Sequence, residues 1–147
     1  MRISKKGQYS LEALLCLVMH NGKYPASTGS IAELTGISEG YLEQLFIPLR
    51  KAGIIRANRG RQGGYTPGRA PEHITVGDIL RTMEGDLEPV DCIKSKPCPV
   101  SHTCASRKVW VDLYREINDT VNSITLADLA NSAGKMPGKT MEQAENP

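Results

Sequence analysis

The sequence predicts a mainly α-helical fold with one small two-stranded β-sheet. Apolar residues recur at three- and four-residue steps in several separate stretches, which is the spacing that gives a helix an apolar face. One glycine-rich segment, residues 59–64, lies between two short runs of β-prone residues, as expected of a hairpin tip. The elements on either side of this hairpin define the fold class further.

The chain has 147 residues with a single Phe and a single Trp, so aliphatic side chains must provide most of the core. That length suffices for an ordinary core without disulfides. The net charge of +2 conceals an asymmetry: residues 1–69 contain 10 Lys and Arg against 4 Asp and Glu, whereas residues 70–147 contain 8 against 12. A basic first half beside an acidic second half is typical of a nucleic-acid binder with a separate sensing or assembly region, although uneven surface charge alone is an alternative interpretation.

No apolar run has the length of a membrane span, and the N-terminus lacks the apolar stretch and cleavage site of a secretory signal. We therefore expect a cytoplasmic protein with no membrane partner. In that reducing compartment, cysteines at regular spacing are more often metal ligands or reactive thiols than disulfides.

Three predicted helices precede the hairpin. The first spans residues 9–20, is apolar on most sides and ends at Asn21-Gly22. The second begins with Ser30 as its N-cap and Glu33 as the partner in a capping box. Leu34 in this second helix is expected to face inward.

A third helix follows a turn at residues 35–37. Ser38 is its predicted N-cap, and the helix ends at Ala52 because Gly53 suits the left-handed position beyond it. Two helices joined by a Gly-containing turn form a helix-turn-helix, whose second helix lies in the DNA major groove with its first residues toward the bases. A helical hairpin that only packs a core is the alternative.

The first turns of the third helix carry side chains that suit base recognition. Gln44 can pair with adenine, and Glu43 can accept a hydrogen bond from cytosine. Ser38 and Tyr41 can each reach a base or a phosphate. We predict that these four residues bind DNA.

The hairpin after the third helix is predicted to be a wing, with strands at residues 54–56 and 65–67 on either side of the tip at 59–64. Arg59 and Arg61 on the tip can contact the sugar-phosphate chain or a narrow minor groove. No Lys-Ser/Thr pair follows the glycines, which argues against a nucleotide-binding loop. The sequence also lacks a catalytic combination of Ser, His and Asp, so an enzyme is not expected.

Three cysteines, Cys92, Cys98 and Cys104, follow in a loop that contains prolines. Thiolates are soft ligands that suit an iron-sulfur cluster, and prolines can hold such a loop turned toward one point. A zinc site with His102 is one alternative, although the Cys-x-x-Cys pair common in structural zinc sites is absent; ordinary or redox-active thiols are the other. Cys16, within the first helix, is expected to be a core residue.

A long helix is predicted behind the cysteines, over residues 105–124. It carries an apolar stripe that suits a dimer interface, or else packing on its own domain. Thr125 and Asp128 cap a short helix at residues 126–130, and residues 131–147 are predicted to be disordered. The stripe consists of Val109, Trp110, Leu113, Ile117, Val121 and Ile124.

Four segments form a specific combination of motifs: RISKKGQY at residues 2–9, SEGYLEQLF at 38–46, RGRQGGY at 59–65 and ITVGDI at 74–79. Together they resemble the bacterial winged-helix repressor family that contains IscR, NsrR and CymR, and the resemblance covers about residues 1–130. It implies a dimeric repressor that binds double-stranded promoter DNA.

The resemblance also implies a cofactor. The three cysteines, with Trp110 behind them, are most similar to IscR-type members, which implies an iron-sulfur cluster on those thiolates, 2Fe-2S rather than 4Fe-4S. IscR-type members have a His three residues after the third cysteine, where this chain has Arg107; NsrR-type members use an acidic residue from the first helix of the partner subunit, where this chain has Gln8. His102, Asp91, Gln8 and a small exogenous ligand are the candidates for the fourth position.

The resulting prediction is a dimeric repressor of iron-sulfur assembly or cysteine-metabolism genes. Residues 1–80 form the winged helix-turn-helix domain, 81–104 the cluster loop, 105–130 the dimerisation helix with its short companion, and 131–147 the tail. A CymR-like regulator of cysteine metabolism, without a cluster and controlled by a thiol or a partner protein, is the first alternative. A zinc-stabilised interaction module with no specific DNA site is the second.

Overall fold

The computed structural model describes residues 2–20, 25–94 and 96–133. This part of the chain is mostly helical with one two-stranded sheet, so the predicted fold class is confirmed. The helices are α1 (Lys5–Met19), α2 (Thr28–Thr35), α3 (Glu39–Lys51), α4 (Val76–Glu84), α5 (Arg107–Ser123) and α6 (Leu126–Ala133); the strands are β1 (Ile55–Asn58) and β2 (Gly64–Pro67); short 3-10 turns cover Pro71–His73 and Asp91–Ile93.

Helix α1 begins at Lys5, before its predicted start, because Ser4 caps it. The Ser4 hydroxyl accepts a hydrogen bond from the backbone N–H of Gly7, which satisfies a donor that the helix itself leaves unpaired. Leu14 on the inner face of α1 is fully buried. The predicted helix end at residues 21–22 lies outside the described residues.

The prediction that Ser30 caps α2 is wrong. Ser27 has an extended backbone, and its hydroxyl accepts the backbone N–H of Ser30 at 3.1 Å, so Ser27 is the N-cap and Ser30 lies in the first turn. The prediction that Leu34 faces inward is also wrong, since this side chain is 53% exposed. Ile31 is the residue that α2 buries, because so short a helix has only a narrow inner face.

The turn and the third helix agree with the sequence prediction. Gly36 ends α2 with a left-handed φ of +75°, and Ser38 accepts the backbone N–H of Tyr41 as the N-cap of α3. Beyond the C-cap of α3, Gly53 has a φ of +74°, which a glycine adopts without strain. The buried face of α3 consists of Leu42, Leu45, Phe46 and Leu49.

Helix α4 was not predicted, although its N-terminal signal is present in the sequence. Thr75 and Asp78 form a reciprocal capping box. At the other end of α4, the Glu84 carboxylate accepts hydrogen bonds from the backbone N–H and the hydroxyl of Ser4. Gly7 leaves room for this carboxylate, because a Cβ atom there would lie 2.5 Å from a Glu84 carboxylate oxygen.

Two apolar clusters hold the elements together. The main core joins α1, α2, α3 and β1 to the first part of α4, and a smaller cluster joins α4 to α5. This division places the helix-turn-helix in the main core and the long helix α5 beside it. Val76, Leu80 and Leu87 form the smaller cluster, against which Ile117, Val121 and Ile124 pack.

The predicted wing is confirmed as an antiparallel pair of strands, and a third segment anchors it. The backbones of Ala26 and Tyr65 exchange hydrogen bonds of 2.9 and 2.8 Å. Gly64 allows this contact, because a Cβ atom there would lie 2.5 Å from the Ala26 carbonyl oxygen. The Tyr65 ring also packs against the Phe46 ring of α3, with 4.7 Å between the ring centres. The wing is therefore fixed to both α3 and the segment before α2.

The C-terminal helices match most of the prediction. Helix α5 begins at Arg107, and Thr125 and Asp128 exchange the expected capping hydrogen bonds at 3.0 Å before α6. Disorder from residue 131 onward is wrong for 131–133, since α6 continues through them; residues 134–147 lie outside the described part. Among the residues that the structure describes, no helix is long and apolar enough to cross a membrane.

Candidate DNA interface and cysteine loop

Helix α3 leaves its polar side at the surface. Ser38, Glu43 and Gln44 are exposed, whereas Leu42 and Leu45 beside them are buried. The helical spacing that directs leucines into the core therefore leaves a carboxylate and an amide outside, within the first two turns. These are the side chains whose chemistry suits base edges.

Tyr41, the fourth residue predicted on α3, has a different environment. It is half-buried, and its ring meets the ring of Tyr9 edge to face, with 5.9 Å between centres and an interplanar angle of 89°. The ammonium group of Lys5 lies 5.5 Å from the centre of the Tyr9 ring. Tyr41 thus connects the start of α3 to α1 in addition to any contact it makes with a ligand.

The wing tip carries two exposed guanidinium groups, Arg59 and Arg61. The tip is closed by a hydrogen bond of 2.9 Å from the backbone N–H of Gly63 to the carbonyl of Gly60. The ion pairs of the described residues all lie between residues 69 and 115, so neither arginine has an acidic partner in that part of the chain. Uncompensated positive charge on a narrow hairpin suits a phosphate-rich ligand.

Sequence reasoning missed a groove between α3 and the wing. It has a volume of about 300 Å³. Arg50 and Lys51 on its rim lie at the end of α3, where their charge also favours the helix dipole. A basic pair one or two turns after the predicted reading residues was the signal that could have revealed it. Glu43, Phe46, Ile47, Arg50, Lys51 and Tyr65 line the groove.

The three loop cysteines lie on different local structures. Cys92 is in the second 3-10 turn, Cys98 follows in irregular chain, and Cys104 precedes α5; all three are half-buried free thiols. Within residues 2–20, 25–94 and 96–133, no three Cys, His, Asp or Glu side chains lie close enough together to hold a metal ion. The expected convergence of the three thiols on one point is therefore not met in this conformation.

Arg107, three residues after Cys104, reaches into the loop. Its guanidinium group donates a hydrogen bond of 3.4 Å to the carbonyl of Cys92. The Ser106 hydroxyl, 3.3 Å from Cys104 Sγ, lowers the pKa of that thiol, and the backbone N–H groups of Ser106 and Arg107 add to the effect. By contrast, burial raises the pKa of the Cys16 thiol within α1.

A polar cluster fixes the first part of the loop to α5. The Asp86 carboxylate accepts hydrogen bonds from the Lys94 ammonium group and the Tyr114 hydroxyl, both at 2.8 Å. Lys94 also holds the pKa of Asp86 below its usual value. The Glu88 carboxylate accepts the backbone N–H of Lys94 at 3.2 Å. These contacts hold the segment around Cys92 against the long helix.

The candidate fourth ligands differ in their exposure and in the hydrogen bonds they already make. His102 is exposed, whereas the Asp91 carboxylate accepts a hydrogen bond from Lys96 at 3.0 Å. Gln8 lies in α1, where its amide donates to the carbonyl of Ile3 at 3.2 Å. Asp91 and Gln8 therefore already have protein partners.

The apolar stripe of α5 divides into two parts. Its C-terminal part, including Ile117 and Val121, packs on α4. Its N-terminal part is open to solvent, with Val109 53% exposed and Leu113 40% exposed. Packing on its own domain therefore accounts for only half of the stripe.

Comparison with known proteins agrees with this arrangement. Residues 3–132 match the Rrf2 family, described as iron-dependent transcriptional regulators. The chain is 40% identical over 131 residues to the HTH-type transcriptional regulator CymR of Bacillus subtilis, covering 89% of this chain and 91% of that protein. It is 37% identical over 132 residues to the HTH-type transcriptional regulator IscR of Erwinia tasmaniensis, covering 90% and 80%.

Solved structures of two such regulators have the same fold. B. subtilis CymR (YrzC), described as a global cysteine regulator, superposes with a TM-score of 0.77 at 39% identity over 90% of this chain and 98% of its own. T. potens IscR superposes with a TM-score of 0.75 at 39% identity over 97% and 96%. The relatives are regulators rather than enzymes, as the sequence predicted. Motifs, fold and relatives together show that this chain belongs to the Rrf2 family of DNA-binding transcriptional regulators.

Proposed function

We propose that this chain is a dimeric transcriptional repressor that binds a partly palindromic promoter site through α3 and the wing. The groove shared by these two elements is the observation that carries the proposal. Glu43 of α3 and Tyr65 of the wing line the same groove, so the two elements present one continuous surface. A helix in the major groove with a hairpin on the adjacent backbone is a geometry that such a surface suits.

Base reading falls to the exposed side chains of α3. Gln44 pairs with adenine in two hydrogen bonds, and Glu43 accepts from the amino group of cytosine. Ser38, exposed at the N-terminus of the helix, contacts a base or a phosphate. Tyr41 has less freedom because of its contact with Tyr9, so its hydroxyl is the group that reaches DNA.

The wing supplies affinity rather than sequence information. Arg59 and Arg61 carry uncompensated charge at the tip and contact the sugar-phosphate chain or a narrow minor groove. The wing is anchored to α3 and to Ala26, which supports this role, because a hairpin that is already fixed loses less conformational entropy when it binds DNA.

Helix α5 is the proposed dimer interface. Its exposed apolar part supports this assignment, because a two-fold axis would bury Val109 and Leu113 against the same residues of a second copy. A dimer also places two copies of α3 on one face, as a palindromic site requires.

The cysteine loop is the proposed sensing site. Three thiol donors on one short segment fit an iron-sulfur cluster by their chemistry, and Cys92, Cys98 and Cys104 would hold it. Binding requires the three thiols to come together, with the fourth position left to another residue or to a small ligand. A bound cluster supplies a centre whose stability responds to iron, oxygen or nitric oxide; 2Fe-2S is the form we propose.

The target genes are proposed from the relatives. One relative is named IscR, and IscR-type regulation points to iron-sulfur assembly genes. The second candidate function is a cluster-free repressor of cysteine metabolism, as the description of B. subtilis CymR suggests. The Arg107 side chain favours this second candidate, because it occupies the position of an IscR-type ligand and binds the loop backbone instead.

One experiment separates the two candidates. Protein purified without oxygen is analysed for iron, sulfide and zinc, and its binding to a DNA site obtained by random selection is compared before and after cluster removal. Matching iron and sulfide with a change in DNA affinity that Cys98→Ser abolishes supports the cluster sensor. Iron-free protein with unaltered selective binding supports the cysteine regulator, and zinc without selective DNA binding indicates the interaction module.

A further inference from the structure

One apolar side chain lies on the exposed side of α3. Ile47 is 56% exposed and follows Glu43 by one helical turn on the same side of the helix. A single exposed isoleucine is ordinary on a protein surface. The position of this one is unusual, because it stands next to the two long polar side chains, Glu43 and Gln44, that the proposed function assigns to base edges.

The surroundings of Ile47 indicate what covers it. It forms one wall of the groove between α3 and the wing, and the exposed cations Arg50 and Lys51 lie on the same rim. Within the described ranges neither cation takes part in an ion pair. An apolar protein partner would have to desolvate both charges, whereas a nucleic-acid backbone would pair with them.

The chemistry of the major groove supplies a matching apolar group. Thymine alone among the four bases presents a methyl group there, and apolar side chains contact it. Along α3, Ile47 lies about 6 Å beyond Glu43, which corresponds to roughly two base-pair steps.

We propose that Ile47 is a further specificity-determining residue, which reads the C5-methyl group of a thymine about two base pairs from the base that Glu43 contacts. Arg50 and Lys51 hold the phosphates beside it. This inference rests on the proposed function, since it requires α3 to lie in the major groove.

Uracil substitution tests the contact, because uracil differs from thymine only by the missing methyl group. A site from random-DNA selection is synthesised with each thymine replaced in turn by uracil, and the affinity of the dimer is measured for every version. For the unmodified protein, we expect one thymine in each half-site whose replacement weakens binding by about fourfold or more.

Two variants make the assignment specific to the side chain. Ile47→Ala should bind the thymine and uracil versions of that position equally well, whereas Ile47→Val should retain part of the difference. Leu34→Ala is the matched control, because it removes a similarly exposed apolar side chain, 53% exposed, from α2. It should leave the uracil effect unchanged.

Two results would overturn the inference while leaving the proposed function intact. One is that no thymine-to-uracil replacement weakens binding; the other is that the loss of affinity on such a replacement is the same in Ile47→Ala. Absence of any sequence-selective site would instead remove the proposed function and this inference with it. Thermal unfolding of each variant checks that the fold is retained, which is expected because both altered side chains are exposed.

Discussion

At the scale of single residues, exposure separates the side chains proposed to read DNA from those that pack α3 against the rest of the protein. Gln44 is exposed and carries an amide, whereas Tyr41 is half-buried and packs its ring on the Tyr9 ring. Substituting the first should alter recognition alone, while substituting the second should also alter the packing of α3 on α1. Gln44 is therefore the better test of base reading.

Replacing Gln44 with Ala should weaken binding to the selected site by about 1–3 kcal/mol and broaden the sequence preference at one position. The reason is the loss of two hydrogen bonds to one adenine. Affinity and a repeated random-DNA selection measure the two effects, with Glu72→Ala, at an exposed site outside α3, the wing and α5, as the control. An unchanged preference would show that Gln44 does not read a base.

Replacing Arg61 with Ala should weaken binding nearly equally for all sequences and reduce the salt slope of log affinity by about 1. This follows if the guanidinium group neutralises one phosphate. Titrations across a salt series measure the slope, and Arg115→Ala, an exposed arginine on α5, should leave it unaltered. Equal slopes for the wild type and Arg61→Ala would remove this residue from the interface.

Many of the residue-level predictions depended on sequence patterns that can be recognised without a three-dimensional structure. Exposure of Glu43 and Gln44 follows from the spacing of the leucines on α3. The basic pair Arg50 and Lys51 is visible in the sequence, but leucine spacing alone does not predict its groove, because the wing reaches α3 only through tertiary packing. The arrangement of the three thiols likewise depends on loop contacts that sequence spacing does not encode.

At the scale of elements, the start of α2 could not be placed correctly from sequence patterns alone. Two serines three residues apart, Ser27 and Ser30, both satisfy the local N-cap rule. Tertiary contacts determine that Ser27 is the N-cap, because the backbone of Ala26 is paired with that of Tyr65 and fixes where the chain can turn. Helix α4 was not predicted, although its box of Thr75 and Asp78 is a local signal of the same kind.

The two serines provide a matched pair of variants. Ser27→Ala should lower the free energy of unfolding by about 1 kcal/mol, because it leaves the backbone N–H of Ser30 without its acceptor. Ser30→Ala should lower the free energy of unfolding clearly less, since the Ser30 hydroxyl accepts a hydrogen bond from the Ser27 hydroxyl but caps no backbone N–H. Urea unfolding of both variants measures the difference, and equal losses would contradict the assignment of the cap.

The exposed part of α5 leads to a prediction about assembly. Leu113→Glu should raise the dimer dissociation constant by about tenfold or more, because the dimer would bury two like-charged carboxylates near its axis. The monomer fold should persist, since Leu113 is 40% exposed. Sedimentation equilibrium measures the constant, with Leu34→Glu on α2 as the control. An unaltered constant would place the dimer interface elsewhere.

At the scale of the whole molecule, a continuous series of contacts joins the cysteine loop to α3. Asp86 fixes the loop to α5, and α5 packs on α4 through the smaller apolar cluster. Glu84 at the end of α4 holds Ser4 at the start of α1, and α1 meets α3 through Tyr9 and Tyr41. A change in the loop can therefore reach α3 through helices that pack on one another.

Coupling between two sites is reciprocal, so DNA should also act on the loop. Bound DNA should favour one arrangement of α1 and α3 and thereby stabilise the cysteine loop that is connected to them. Cognate DNA should therefore slow alkylation of the loop thiols by about fivefold or more. Glu84→Ala should remove this protection because it breaks the hydrogen bonds to Ser4, while Glu72→Ala, at an exposed site, should retain it. Mass spectrometry of Cys98 and Cys104 after timed alkylation gives the rates, and comparison at DNA concentrations that saturate each variant separates lost coupling from lost binding. Protection that persists in Glu84→Ala would mean that the signal travels by another contact, such as one across the dimer.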